Sequence, residues 1–192
     1  STLVNCICGT LQNETGTVTF EGRALNRAPA HKRTHLGLAR SFQLPRPFGS
    51  LTLVDNLRIP LLYTVARRLG PLRSPRQVDE RCMELLALVG LESRARRWPR
   101  DLTQVEMRKL ELARAMAAEP KLLIADESMA GLSHSEVEDI IQLLLRINEL
   151  GVTILMATHQ AEGVTALRKR VVALEDGRII RDETGATYHR ED

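Results

Sequence analysis

The chain has 192 residues, of which 43% are hydrophobic and 27% charged, a balance typical of one α/β domain with a sizeable core. Its net charge is only +3 and 3% of its residues are aromatic, which argues against stacking platforms for single-stranded nucleic acid. No apolar run reaches the roughly 18 residues of a membrane-spanning helix. The start, STLVNCICGT, lacks the features of a secretory signal, and three scattered cysteines favour a reducing cytoplasm.

The amino-terminal half predicts a hairpin and a helix. β-forming residues alternate over residues 15–25, and the pair Glu21-Gly22 supplies the turn. Residues 74–89 carry apolar side chains at helical spacing. Ser74, followed by a proline, is a suitable start for that helix, and Gly90 is a suitable stop.

The carboxyl-terminal half alternates helices with short apolar strands. Helical periodicity covers residues 104–119 and 133–151, and buried strands are predicted at residues 121–126 and 152–159. A hairpin is predicted over residues 171–183, because Asp176-Gly177 suits a two-residue turn. Strands joined by crossover helices form a parallel sheet, and such sheets bind ligands at the carboxyl ends of their strands.

Three side chains that suit phosphate chemistry come at the ends of the two predicted buried strands. Asp126 ends the first strand, Glu127 follows it on the turn, and His159 ends the second strand. The first carboxylate suits Mg²⁺, which prefers oxygen ligands, and the second can orient or deprotonate a water. Taken singly, an acidic pair after a strand is often a helix cap, and a lone histidine is usually structural. Their joint position at matching strand ends favours the functional interpretation.

Sequence blocks around these residues resemble the ABC-type ATPases. LLIADESMAGL is similar to their Walker B and D-loop region, and TILMATHQ to their switch-histidine strand. LGLARSFQLPRPFGSLTLVDNL resembles their Q-loop region. The whole chain is similar to the ATPase subunits of bacterial branched-chain amino acid importers, particularly through ARSFQLPRPF and SMAGLSHSEVE.

The resemblance implies an α/β fold with a P-loop-NTPase-like parallel sheet core and a small antiparallel β subdomain. It also implies a helical subdomain at approximately residues 50–110. All of these would belong to one ABC ATPase domain over residues 1–192 that is incomplete at its amino terminus.

The same resemblance implies roles in binding ATP and Mg²⁺. Asp126 matches the Mg²⁺-site aspartate, Glu127 the catalytic base, and His159 the switch that contacts the γ-phosphate. Further nucleotide- and metal-binding positions are Ser1, Thr2 and Gln43, with Mg²⁺ held through Ser1, Gln43 and Asp126. The D-loop segment, which crosses the dimer interface in the family, corresponds to Ala130, Gly131, Leu132 and Ser133.

The amino terminus departs from the family pattern. In the family, Ser1 would follow a Gly-rich loop and a lysine, which supply the backbone N–H cradle and the main cation for the phosphates. Those residues are not in this sequence. We therefore expect these 192 residues alone to bind ATP poorly, and the pattern favours a fragment over a complete gene product.

The family signature, Leu-Ser-Gly-Gly followed by Gln or Glu, is altered as well. The matching residues form the signature-like segment: Leu102, Thr103, Gln104, Val105 and Glu106. Gln104 and Val105 replace two glycines that let the backbone approach a γ-phosphate. Hydrogen bonds to charged groups contribute about 1.5 to 3 kcal/mol each, so losing two weakens that contact by roughly two to four orders of magnitude. Alternatively, Gln104 or a shifted backbone compensates. In family dimers this segment completes the partner's nucleotide site.

Three functions remain open. The first is an ATP-hydrolysing motor subunit of an importer for a small solute, with branched-chain amino acids implied by the resemblance alone. It would pair with a second ABC ATPase subunit, transmembrane permease subunits and a solute-binding protein, at the cytoplasmic inner face of the bacterial cell membrane. The second, favoured by the altered signature, is a catalytically degenerate or regulatory subunit beside an active ATPase. The third is a soluble ABC-type protein acting on nucleic acid. It would need a second ATPase domain, a coiled-coil insertion or a long basic linker, so we expect no nucleic-acid partner.

Overall fold

The computed structural model describes residues 2–42, 45–69, 74–159, 164, 167 and 169–185. The helices are α1 (Thr2–Cys8), α2 (Ala30–Leu36), α3 (Leu53–Leu69), α4 (Pro75–Leu88), α5 (Gln104–Ala117) and α6 (His134–Glu149). The strands are β1 (Thr19–Phe20), β2 (Arg23–Ala24), β3 (Leu38–Ser41), β4 (Leu122–Asp126), β5 (Thr153–Ala157), β6 (Arg170–Glu175) and β7 (Arg178–Thr184).

Strands β3, β4 and β5 form a parallel sheet in that order. Ser41 pairs with Ala125 across the first ladder, and Asp126 pairs with Ala157 across the second. Helix α6 connects β4 to β5, as parallel neighbours require a crossover. The two predicted buried strands are present and lie side by side, and the parallel core with its small antiparallel sheets agrees with the predicted architecture.

Both faces of the parallel sheet are covered by helices. Leu123 belongs to the large core that includes α5 and α6, whereas Ile124 packs against Val4 and Cys8 of α1. Successive side chains of a strand point to opposite faces, so Asp126 shares with Ile124 the face that α1 covers. This alternation carries the first acidic side chain toward the amino-terminal helix.

Helices α3, α4 and α5 pack against one another and contribute much of the large core. Leu57, Leu85 and Leu110, one from each helix, are almost completely buried. A helical subdomain at approximately residues 50–110 stays a prediction, although these helices lie in or overlap that range. Among the described residues, no helix has both the length and the apolar character that crossing a membrane requires.

Two antiparallel hairpins accompany the parallel sheet. β1 pairs with β2 around Glu21 and Gly22, the predicted turn residues. β6 pairs with β7 around Asp176 and Gly177, whose φ angles are +48° and +75°. Positive φ at both central residues is what a type I′ turn requires, so the predicted Asp-Gly turn is confirmed.

Candidate functional site

The first acidic residue of the candidate site is buried and the second begins a turn. Asp126 ends β4 and is only 5% exposed. Glu127 has a φ of +48°, and its N–H donates to the carbonyl of Ala157 at 2.9 Å. The left-handed conformation is unfavourable for a residue with a Cβ, and strained backbone of this kind is concentrated at functional sites. The sequence pattern gave no indication of it.

Glu127 and His159 come together at the edge of the sheet. Nδ1 of His159 lies 3.6 Å from Oε1 of Glu127, with the two side chains 71% and 31% exposed. The prediction that His159 ends a strand is wrong by two residues, because β5 ends at Ala157. The Glu127 N–H still bonds the Ala157 carbonyl, but its φ of +48° departs from strand geometry, and the pairing of β4 with β5 ends at Asp126 and Ala157. The histidine consequently lies beyond the strand, nearer to solvent.

Asp126 forms an ion pair with Arg40 of β3. Nη2 of Arg40 donates to Oδ2 of Asp126, while its Nη1 donates to Oδ1 of Asn5 on α1 at 2.7 Å. The arginine and aspartate side chains are 14% and 7% exposed. Sequence reasoning missed Arg40. A signal was available, because an arginine inside an otherwise buried strand requires a polar or charged partner.

The donors at this edge suit Mg²⁺. Among the described residues, no three His, Cys, Asp or Glu side chains form a complete metal cage. Mg²⁺ does not need one, since it keeps several waters and binds one or two carboxylates together with substrate phosphates. Asp126 fits this requirement as a strand-end carboxylate that already balances a cation. Ser1 and Gln43, the other predicted Mg²⁺ ligands, lie outside the described residues, and Thr2 opens α1 with an exposed side chain.

The signature-like segment forms a well-capped helix start. Thr103 is the N-cap of α5: its Oγ1 accepts from the N–H of Glu106 at 3.3 Å, and Glu106 accepts from the N–H of Thr103 at 2.9 Å. Leu102 and Val105 pack partly against the large core, while Gln104 is exposed. Of the two residues that stand in place of glycine, Gln104 is therefore the one whose side chain faces outward.

The D-loop segment lies against the same helix. Nη2 of Arg108 donates to the carbonyl of Ala130 at 3.3 Å. A Cβ on Gly131 would come 3.1 Å from Nε2 of Gln104, so the Gln104 amide sits directly beside this glycine. Leu132 packs partly against the core, and Ser133 is the N-cap of α6. The signature-like segment thus lies against the D-loop segment through Gln104 and Gly131.

Known proteins are similar to this chain over most of its length. Residues 1–130 match the family model described as ABC transporter. The chain is 44% identical over 117 residues to the cell division ATP-binding protein FtsE of Streptococcus pneumoniae serotype 2, covering 61% of this chain and 51% of that protein. It is 33% identical over 193 residues to the methionine import ATP-binding protein MetN of Corynebacterium jeikeium, covering 98% of this chain and 50% of that protein. The chain spans about half the length of the curated relatives it matches.

Solved structures that are similar to this chain include ATP-binding cassettes. An ATP-binding cassette of an ABC transporter, MJ1267, has a TM-score of 0.84 at 26% identity, covering 96% of this chain and 75% of that one. A dimeric post-hydrolysis state of the cassette MJ0796, bound to ADP and Pi, has a TM-score of 0.83 at 25% identity, covering 97% of this chain and 81% of that one. The predicted fold is confirmed by these neighbours, and the chain belongs to the ABC transporter family, as part of its ATP-binding domain.

Proposed function

We propose that this chain is part of the ATP-hydrolysing motor subunit of an ABC importer. The observation that carries the proposal is the arrangement at the carboxyl edge of the parallel sheet. There a buried carboxylate, Asp126, is followed by Glu127, which contacts His159. The family membership and the ADP- and Pi-bound relative support ATP as the substrate.

Each residue has a separate task in this proposal. Asp126 would hold Mg²⁺, together with Ser1 and Gln43; the ion supplies charge neutralisation at the phosphates. Glu127 accepts a proton from the attacking water, a task that suits a partly exposed carboxylate at the rim. Nδ1 of His159 faces Glu127, which leaves Nε2 to donate a hydrogen bond toward the γ-phosphate.

The proposed domain is one ABC ATPase domain over residues 1–192, with a helical subdomain at approximately residues 50–110. The mutual packing of α3, α4 and α5 supports the subdomain. Thr2, at the start of α1, and the signature-like and D-loop segments are proposed as further nucleotide contacts, the last two in the partner's site. The relative solved as a dimer supports pairing with a second ABC ATPase subunit.

The proposed cargo is a small solute, with branched-chain amino acids favoured. ARSFQLPRPF and SMAGLSHSEVE support that class. Neither of the two relatives described above is named as a branched-chain importer; the similarity to a methionine importer supports amino acid import in general. Permease subunits, a solute-binding protein and a place at the inner face of the cell membrane complete the proposal.

A catalytically degenerate subunit is the second candidate. It is favoured by the exposed Gln104 side chain at the start of α5, where the family has glycine. In that case the chain would pair with an active ATPase without hydrolysing ATP itself.

Transport by the reconstituted natural complex tests the proposal. The full-length subunit would be assembled with its permease in vesicles and supplied with ATP on the subunit side. We expect uptake of leucine, isoleucine or valine that depends on ATP. Uptake of methionine alone would contradict the branched-chain assignment. Uptake that does not depend on ATP, whichever amino acid is supplied, would contradict the motor function.

A further inference from the structure

Arg40 is a cation that contacts Asp126, the candidate ligand for Mg²⁺. It is opposite Ile124 in the β3–β4 register and shares the α1-covered face of the sheet with Asp126. The two side chains form an ion pair and are 14% and 7% exposed. A pair so far removed from water is held in one geometry, and losing one partner would leave the other charge buried and uncompensated.

Further contacts fix the guanidinium at this position. Its Nη1 donates to Oδ1 of Asn5 at 2.7 Å, which connects the pair to α1. The guanidinium carbon lies 5.3 Å from the centre of the Phe42 ring, a cation–π contact. Arg40 therefore joins three elements: the strand that carries it, the end of β4, and the helix that begins at Thr2.

Arg40 also lies beside a cavity. It borders a cavity of about 210 Å³ whose wall includes Cys8, Phe42 and Arg114. Its buried Nε has no hydrogen-bond partner among the described residues. Arg40 thus contacts Asp126 beside open space, with one donor left unsatisfied in this position.

We propose that Arg40 is the resident cation of the metal site: it balances and orients Asp126 when Mg²⁺ is absent and competes with Mg²⁺ for Oδ2. The inference rests on the proposed function. Two cations near one carboxylate repel each other, so Mg²⁺ at Oδ2 would weaken the Arg40 contact and Arg40 would weaken the binding of Mg²⁺. Arg40 is a positioning residue in this scheme, because it acts on Asp126 and not on the substrate.

The test is the dependence of nucleotide affinity on Mg²⁺ in the full-length subunit. The Kd of a fluorescent ADP analogue is measured with excess EDTA and again with saturating Mg²⁺. The Kd in EDTA divided by the Kd in Mg²⁺ gives the enhancement of affinity by Mg²⁺. We expect Arg40→Met to raise this ratio about tenfold, because the competitor is gone and the unbalanced carboxylate repels metal-free ADP. Arg40→Lys keeps the charge and should stay near the wild-type ratio.

Arg58→Met is the matched control. It also removes an arginine paired with aspartates, Asp55 and Asp79, but on helices α3 and α4. Its ratio should equal that of the wild type. An unchanged or lower ratio in Arg40→Met, with ADP and Mg²⁺ still bound, would overturn the inference alone. No binding of ADP with Mg²⁺ by the wild type would overturn the proposed function and the inference with it.

A double variant covers the case in which Arg40→Met does not fold. Asp126→Asn removes the buried charge that the missing arginine would have balanced. We expect the double variant, Arg40→Met with Asp126→Asn, to regain most of the thermal stability that Arg40→Met loses. If the double variant is no more stable than the single one, Arg40 does not serve as the counter-ion of Asp126, and the inference is wrong.

Discussion

Gln104 of the signature-like segment lies against Gly131 of the D-loop segment, with its amide nitrogen 3.1 Å from the position a Cβ on Gly131 would take. Arg108, one turn further along α5, donates to the neighbouring carbonyl of Ala130. Burial lowers the pKa of this arginine from its ordinary value. These contacts connect the two segments that we propose for the partner's nucleotide site, so we expect a substitution in one segment to affect the other.

Replacing Gly131 with alanine tests this contact. Gly131 has a φ of +78°, so any Cβ costs about 1 kcal/mol in strain, and the crowded Gln104 amide should add about 0.5 kcal/mol. Gly90→Ala is a matched control, since Gly90 has a φ of +74° and nothing within 4 Å of an added Cβ. Urea unfolding should show Gly131→Ala as the less stable variant. Equal losses in the two variants would show that Gln104 does not crowd this site.

Replacing Gln104 with glycine tests whether the altered signature limits hydrolysis. Removing the outward Cβ should let the start of α5 approach the partner's γ-phosphate and raise hydrolysis in the assembled dimer about tenfold, the value of one recovered hydrogen bond. Gln104→Ala keeps the Cβ and should give no increase. A fall in hydrolysis in both variants would instead mean that the Gln104 amide itself compensates for the missing glycines.

Replacing Val105 with glycine should affect the stability of the chain. Val105 packs partly against the large core, so Val105→Gly should lower the free energy of unfolding by about 1 to 2 kcal/mol through lost packing and added backbone freedom. Chemical denaturation measures this loss directly. If Val105→Gly is as stable as the wild type, the side chain contributes no packing at the start of α5.

The cap of α6 predicts a dependence of stability on acid pH. The backbone N–H of Ser133, followed by its hydroxyl, lowers the pKa of Glu136 below its ordinary 4.5. A lowered carboxyl pKa contributes stability above pH 4.5, and the contribution is lost as the pH falls through the folded-state pKa. Glu136→Gln should therefore show a smaller drop in thermal midpoint below about pH 4.5 than the wild type. Ser133→Ala keeps the backbone donor and should lie between the two. Equal drops in all three proteins would exclude this cap as a source of the acid sensitivity.

Features of the fold with a local cause could be predicted from the sequence. The apolar run before Asp126 predicted β4, because a strand buried on both faces is almost wholly apolar. The Asp176-Gly177 pair predicted its hairpin turn, because these residues suit the positive φ angles that the turn requires. Helix α3 was not predicted from periodicity, since Pro60 lies inside it and proline ordinarily ends a helix.

The contacts within the site depend on strand order, which no local pattern contains. Arg40 meets Asp126 only because β3 lies beside β4, although the two residues are 86 positions apart in the chain. Glu127 meets His159 because β5 lies on the other side of β4. The acidic pair and the histidine could be selected by their position at strand ends. Arg40 could be noticed as a charge within a largely apolar stretch, but its partner could not be identified without knowing the neighbour of its strand.

The central claim, that Glu127 is the base for ATP hydrolysis, is tested most directly by steady-state ATP hydrolysis in the assembled full-length complex. Glu127→Gln keeps the shape of the side chain but removes the base, so turnover should fall by roughly a hundredfold or more. ATP affinity should be retained. Glu138→Gln, an exposed glutamate of α6 beside His134, is the control and should leave turnover unchanged. Turnover equal to that of the wild type in Glu127→Gln would contradict the account and identify the chain as a degenerate subunit.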